Sequence, residues 1–215
     1  MKNNSRKVIS NQIKKNAKLL YRLKKNYQND FIPIIDKSTS KVYELIKNYY
    51  NQEIPIILDN GCGTGLSSLW LADQNPNAVV FGIDHTNKFT SRYACKNIIF
   101  AQVDLSQLWR LLWEKKIPIA KAYLLYPNPW PKSKHLTRRW HAHPAFKYLA
   151  FIADSLEMRT NWEIYALEAR DSLEFITGNK ASLSKFFPNT SISLHEEKYM
   201  KSGHDLFKLM YSKKL

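Results

Sequence analysis

Cysteine, glycine and long apolar runs are scarce in this 215-residue chain. The two cysteines, Cys62 and Cys95, exclude a disulfide framework and any zinc site built from cysteine alone. No run approaches the ~18 consecutive apolar residues that a membrane span requires. The start, Met1-Lys2-Asn3-Asn4-Ser5-Arg6-Lys7, has no apolar core of a signal peptide behind it. A soluble, cytoplasmic protein with no membrane partner is the expectation. Apolar residues nonetheless make up 44% and aromatics 13%, enough for a real core and too much for a wholly disordered chain. The length suits one domain with an appended arm.

Acid is missing where base is dense. Lys and Arg number 33 against 18 Asp and Glu, a formal net charge of +15. Residues 1–29 hold nine basic residues (Lys2, Arg6, Lys7, Lys14, Lys15, Lys18, Arg22, Lys24, Lys25) and no acid. A second cluster runs through Lys132, Lys134, His135, Arg138, Arg139, His141, His143 and Lys147, and a third through Lys198, Lys201, His204, Lys208, Lys213 and Lys214. An AT-rich genome favours Lys, Asn and Ile, but drift would sprinkle charge evenly. Blocks indicate a polyanion partner, and nucleic acid suits them better than a membrane surface because they lack a strong apolar face. No thiol or clustered acid accompanies the histidines, so no metal site is expected.

The elements alternate. Ile9, Ile13, Ala17, Leu20 and Leu23 predict a basic helix over 8–25, and Val42, Leu45, Ile46 and Tyr49 a second over 38–50. Apolar runs at 54–59, 78–83, 98–103 and 122–126 read as buried strands, with helices at 66–74 and 105–115 between them. Residues 191–196 and 206–211 around Ser202-Gly203 read as a C-terminal antiparallel hairpin. The pattern predicts an α/β fold, a doubly wound and mostly parallel sheet. A basic arm over 1–37 precedes a domain over 38–215.

The first strand runs into Asp59-Asn60-Gly61-Cys62-Gly63-Thr64-Gly65. A dinucleotide fingerprint needs Gly or Ala three positions after its second glycine, where Leu66 stands. A lone glycine triplet could be an ordinary tight turn. Here, however, Asp84 ends the second strand, 19 positions past Gly65, and Asp104 follows the third. This loop resembles motif I of the class I S-adenosylmethionine-dependent methyltransferases. The resemblance implies a Rossmann-like fold with S-adenosyl-L-methionine as cofactor, held by Asp59, Gly61, Gly63, Gly65, Asp84 (ribose hydroxyls) and Asp104 (adenine amine).

After the fourth strand comes Pro127-Asn128-Pro129-Trp130-Pro131-Lys132, with Arg138-Arg139 downstream. Prolines fix the loop around Asn128, Trp130 offers a stacking face, and the basic residues suit phosphate. This string resembles the Pro-Asp-Pro-Trp signature of the bacterial tRNA (guanine-N7)-methyltransferases. Thr160-Asn161-Trp162-Glu163-Ile164-Tyr165-Ala166 and Ser193-x-His195-Glu196…Gly203-His204 are similar to two further motifs of that family. The resemblance implies methyl transfer to guanine N7 of tRNA, with Asn128, Asn161 and Glu196 as catalytic residues. It implies Trp130, Lys132, Arg138, Arg139 and Ser193 as substrate contacts. Two family aspartates are asparagines here, Asn128 and Asn161, which leaves a carbonyl acceptor without charge. A methyltransferase for another RNA base or amine, or a catalytically impaired RNA-binding relative, is the alternative.

Two registers fit residues 153–176. In one, 156–160 is a short strand and 162–176 a helix capped by Asn161. In the other, 162–169 is the fifth strand and Glu168 enters the site. The helical recurrence of Trp162, Tyr165, Ala169, Leu173 and Ile176, with Gly178 as a stop, favours the first.

Overall fold

The computed structural model describes residues 5–89 and 97–213. Lys2, Cys95 and Lys214 lie outside them. The strands are β1 (Ile56–Asn60), β2 (Val79–Asp84), β3 (Ile98–Gln102), β4 (Lys121–Leu125), β5 (Ser155–Thr160), β6 (Ser182–Phe186) and β7 (Leu206–Ser212). The helices are α1 (Leu19–Gln28), α2 (Lys37–Asn51), α3 (Leu66–Gln74), α4 (Leu105–Glu114), α5 (Phe146–Ile152), α6 (Glu163–Thr177) and α7 (Leu194–Lys201). The strands form one sheet in the order β3-β2-β1-β4-β5-β7-β6, parallel across β3 to β5, with β7 antiparallel to both its neighbours. Strand order reverses between β1 and β4, so a crevice opens there beyond the carboxyl ends of the strands.

The central strands are hydrophobic throughout rather than alternating, as a sheet covered on both faces requires: every residue of β1 and β2 is buried. In α4, Leu108, Leu111 and Leu112 face the core as their spacing predicts, together with Trp109. The Trp109 indole donates to Asn60 Oδ1 at 2.8 Å, and Asn60 Nδ2 donates to the Tyr123 carbonyl at 2.9 Å. One buried amide thus ties the end of β1 to β4 and α4, beside the crevice.

Three expectations need correction. The arm is not a helix over 8–25: only α1 is helical, with Leu19 and Leu23 buried while Ile9 and Ile13 are 81% and 88% exposed. Ser10 and Asn16 accept hydrogen bonds from the backbone amides of Gln12 and Lys18, which diverts the chain from helical bonding. Leu19 and Leu23 then pack on Leu136 and Ala142. The antiparallel C-terminal pair is present, but its first strand is β6, not 191–196. Those residues begin α7, where the Ser193 side chain accepts from the Glu196 amide at 3.2 Å. Ser-x-x-Glu is half of a capping box, a helix-start signal carried by the sequence itself. Finally, the strand-then-helix register holds for β5 and α6, yet Asn161 does not cap α6; Trp162 stands at the cap position without a side-chain bond.

Candidate active site

The glycine loop has the backbone that only its glycines adopt without strain. Gly61, Gly63 and Gly65 lie at φ +81, +57 and +86. The amides of Gly61 and Cys62 both donate to the Ile83 carbonyl, at 2.7 and 3.0 Å, which holds the loop over the end of β2. A Cβ on Gly65 or on Gly82 would sit 2.7 or 2.6 Å from the Phe100 ring, so that ring lies close over both glycines. Phe89 stacks on Phe100 at 5.2 Å between centroids.

Asp84 is nearly buried at the loop's rim. Its Oδ2 accepts from the Gly63 amide at 2.9 Å, and its Oδ1 accepts from the Thr86 amide and hydroxyl at 2.8 and 2.9 Å. Asp59 is buried below, where Oδ2 accepts from the Ser67 and Ser68 hydroxyls at 2.6 and 2.7 Å. Oδ1 of Asp59 has no hydrogen-bond partner among the described residues. Burial pushes its carboxyl up from 3.8 to about 6, against the two serine bonds and with some help from the Asp84 charge. An orphaned acceptor of this kind awaits a donor, and a cationic one best. Asp104 is placed somewhat differently from the other acids: it caps α4, accepting from the Ser106 amide and hydroxyl at 2.7 and 2.6 Å.

The raised carboxyl makes a testable pH signature. A folded value above the unfolded one gives stability that is full below about pH 4 and is lost as pH rises through about 6. The unliganded protein should lose about 3 kcal/mol across that window, and Asp59→Asn should abolish the loss. Thermal melts of the two proteins from pH 4 to 8 check it; parallel curves would contradict it.

On the other side of the crevice, Tyr126 and Trp130 hold left-handed backbone at φ +53 and +44, a conformation costly for large side chains and concentrated at functional loops. The Tyr126 amide donates to the Arg159 carbonyl at 2.7 Å, which extends the β4–β5 ladder into the loop. Its phenol donates to Glu196 Oε2 at 2.6 Å. Glu196 is fully buried and also accepts from Arg159 Nη1 at 3.1 and 2.9 Å and from the Ile192 amide at 3.1 Å. Both oxygens of Glu196 are therefore engaged. Its sequence-based role as a group facing the substrate is corrected: it locks Tyr126 and α7 to β5. Ser193, the α7 cap, is half-buried beside it.

Asn128 is exposed at the loop's tip and Trp130 half-buried, with the Arg138 guanidinium 4.8 Å over the indole and His135 edge-on at 5.6 Å. Lys132 and Arg138 are exposed, as phosphate contacts must be. Arg139 is not: it is wholly buried, so a phosphate-binding role is corrected to an internal one. It donates to the Trp130 carbonyl through Nε and Nη2, both at 3.2 Å, and pairs with Glu168 at 2.5 Å. Glu168 also takes a bond from His141 Nε2 at 3.0 Å. Burial alone would raise the Glu168 carboxyl, but His141, the Asn16 amide and the Arg139 charge hold it down at about 2. Asn161 Nδ2 lies 3.0 Å from His204 Nδ1, and His204 Nε2 lies 2.9 Å from the Ser5 carbonyl.

The loop acids and the Asn128 loop thus meet across one crevice, because β1 and β4 pair in parallel with Asp59 opposite Tyr123. Asn161 joins them at the end of β5, next in the sheet. Sequence reasoning missed Arg159, Tyr126, His141 and the serines at 67 and 68, none of which carries a motif of its own. Among the described residues, no group of three or more His, Cys, Asp or Glu is arranged to hold a metal ion.

The model of a family described as a putative methyltransferase matches residues 53–209. The chain belongs to that methyltransferase family. Among curated relatives, a tRNA (guanine-N(7)-)-methyltransferase of Leifsonia xyli subsp. xyli is 28% identical over 167 residues, 70% of this chain and 73% of the relative. The tRNA (guanine-N(7)-)-methyltransferase of Hydrogenovibrio crunogenus is 25% identical over 173 residues, 73% of this chain and 71% of the relative. In fold, the family member is similar to a solved 16S rRNA methyltransferase, with a TM-score of 0.58 at 14% identity over 86% of this chain and 97% of that one. An antibiotic-related methyltransferase gives 0.55 at 16% identity over 84% and 97%.

Proposed function

We propose that the protein transfers the methyl group of S-adenosyl-L-methionine to N7 of a guanine in tRNA. The observation that carries this reading is the junction of the glycine loop with the Pro-Asn-Pro-Trp loop across the β1–β4 crevice of a methyltransferase fold. Family membership and relatives that act on tRNA guanine N7 support it.

The cofactor fits the residues present. Asp59 Oδ1 has no donor among the described residues, a place an ammonium group would fill, and Asp84 retains acceptor capacity at the rim for ribose hydroxyls. The open glycine φ values let the backbone approach such a ligand closely. Bound there, S-adenosylmethionine supplies a methyl group on a sulfonium that leaves as a neutral thioether.

Guanine N7 has an in-plane lone pair and no proton, so attack on the methyl carbon needs no general base. The new N–C bond forms as the S–C bond breaks, and the base becomes cationic. The chain's part is positioning, which can supply about 7–11 kcal/mol of the barrier. Asn128 and Asn161 offer carbonyl acceptors for guanine N1–H and the exocyclic amine, without the charge that would favour the cationic product. Trp130 and Arg138 offer a stacked surface beside the base.

The basic arm over 1–37 and the exposed Lys132, Lys134 and Arg138 would grip the phosphate backbone, on a catalytic domain spanning 38–215. No helix of the described residues is long and apolar enough to cross a membrane, and a tRNA substrate supports a cytoplasmic location. For roughly six phosphate contacts, tRNA affinity should fall by about 10³-fold between about 50 and about 200 mM salt. Filter binding over that range reads the slope; a shallow one would argue against the patches as an RNA surface.

A further inference from the structure

The arm does more than lie beside the domain, because it shares one buried anion with the segment that follows the Asn128 loop. Glu168, on α6, is fully buried, as are Arg139 and His141. Its four acceptor positions are all used, and they divide evenly between two parts of the chain. Oε1 accepts from the Gln12 side chain and the Asn16 amide, both at 2.7 Å. Oε2 accepts from Arg139 Nη1 at 2.5 Å and His141 Nε2 at 3.0 Å. Arg139 closes the circle: its Nη2 donates to Gln12 Oε1 at 2.9 Å and, with Nε, to the carbonyl of the strained Trp130. The arm then touches the same loop directly. The Ser10 hydroxyl donates to the Pro131 carbonyl at 2.5 Å, and Asn16 Nδ2 donates to the Ser133 carbonyl and hydroxyl at 3.0 and 2.9 Å.

We infer that Glu168 is a positioning residue that clasps residues 10–16 of the arm onto the Trp130 loop, so that the arm fixes the geometry of the site as well as gripping RNA. This rests on the methyltransferase reading for its catalytic consequence, but not for the clasp itself. A buried carboxylate with four donors from two segments has one low-energy arrangement. Removing the arm's two donors leaves part of a buried charge unpaired, and the circle through Arg139 to Trp130 loosens. Left-handed backbone at Trp130 persists only while its surroundings over-determine it.

Glu168→Ala risks unfolding the chain, so the test acts from the arm's side. The double variant Ser10→Ala/Gln12→Ala and the single Asn16→Pro, which deletes the amide donor, are compared with wild type and with Lys14→Ala. Lys14 lies within the same stretch with its side chain exposed, and its carbonyl, which accepts from Gln12 Nε2 at 2.9 Å, is kept by alanine. Two quantities are read: amide hydrogen exchange of the peptide spanning 128–139, and kcat separately from KM for tRNA. The clasp predicts exchange faster by about tenfold or more and kcat lower by a similar factor in both clasp variants, with KM nearly unchanged. Lys14→Ala should instead raise KM and leave exchange alone. Clasp variants that raise only KM, with wild-type exchange over 128–139, would overturn the inference and reduce the arm to an RNA grip. If the wild type turns over no tRNA, the functional reading fails while the exchange comparison still decides the clasp.

Discussion

Gly65→Val should destroy S-adenosylmethionine binding and lower the melting temperature by roughly 4–24 °C. Two independent costs meet at this position. The backbone sits at φ +86, where a β-branched residue is strained by about 1–3 kcal/mol. A side chain would also begin 2.7 Å from the Phe100 ring. That ring cannot simply yield: it lies equally close over Gly82 and stacks on Phe89 at 5.2 Å. Overpacking of this kind costs about 1–3 kcal/mol more. Gly61→Val is the control, because Gly61 shares the positive φ (+81) but no atom of the described residues lies within 4 Å of where its Cβ would be. It should show the backbone cost alone. Equal melting losses in the two variants, read by calorimetry, would mean that Phe100 does not close the loop as described.

Arg159→Met should cost about 3–5 kcal/mol, or roughly 6–20 °C in melting temperature. The substitution keeps most of the side-chain volume and removes the cation that Glu196 pairs with. Glu196 is fully buried and keeps the Tyr126 phenol and the Ile192 amide, two neutral donors in place of a cation. Glu157, 2.5 Å from Arg159 Nε, loses its partner at the same time. Arg159→Met combined with Glu196→Gln should recover much of the loss, since a buried pair replaced as a whole is close to neutral. A single variant as stable as wild type would show that the Arg159–Glu196 pair does not hold β5, α7 and Tyr126 together.

Periodicity and motif spacing made the sheet's first five strands and the cofactor loop legible, because both obey local rules. A buried parallel strand is a short apolar run, and a tight turn beneath a ligand demands glycine. The same logic led to Asp59, Asp84 and Asn128 at one crevice. What failed was set by distant partners. Ile9 and Ile13 have helical spacing with Ala17, but the residues that decide the arm are Gln12 and Asn16, whose partner Glu168 lies more than 150 positions away. Arg139 follows an arginine that is exposed, and nothing in the string tells a phosphate contact from an internal guanidinium. Glu196 belongs to a motif, yet only the fold reveals that Arg159 occupies its oxygens. Glu168 is the instructive case. The register that would have brought it into the site is wrong, and it reaches the Trp130 loop all the same, through Arg139.

Methyl transfer to guanine N7 of tRNA is read out by nucleoside analysis after reaction. Unmodified tRNA transcripts are incubated with the protein and methyl-labelled S-adenosylmethionine, then digested to nucleosides and separated. The prediction is label in 7-methylguanosine, lost in Asp84→Ala and reduced at high salt. Cofactor binding with label in a different nucleoside, or in none on any tRNA, would contradict it.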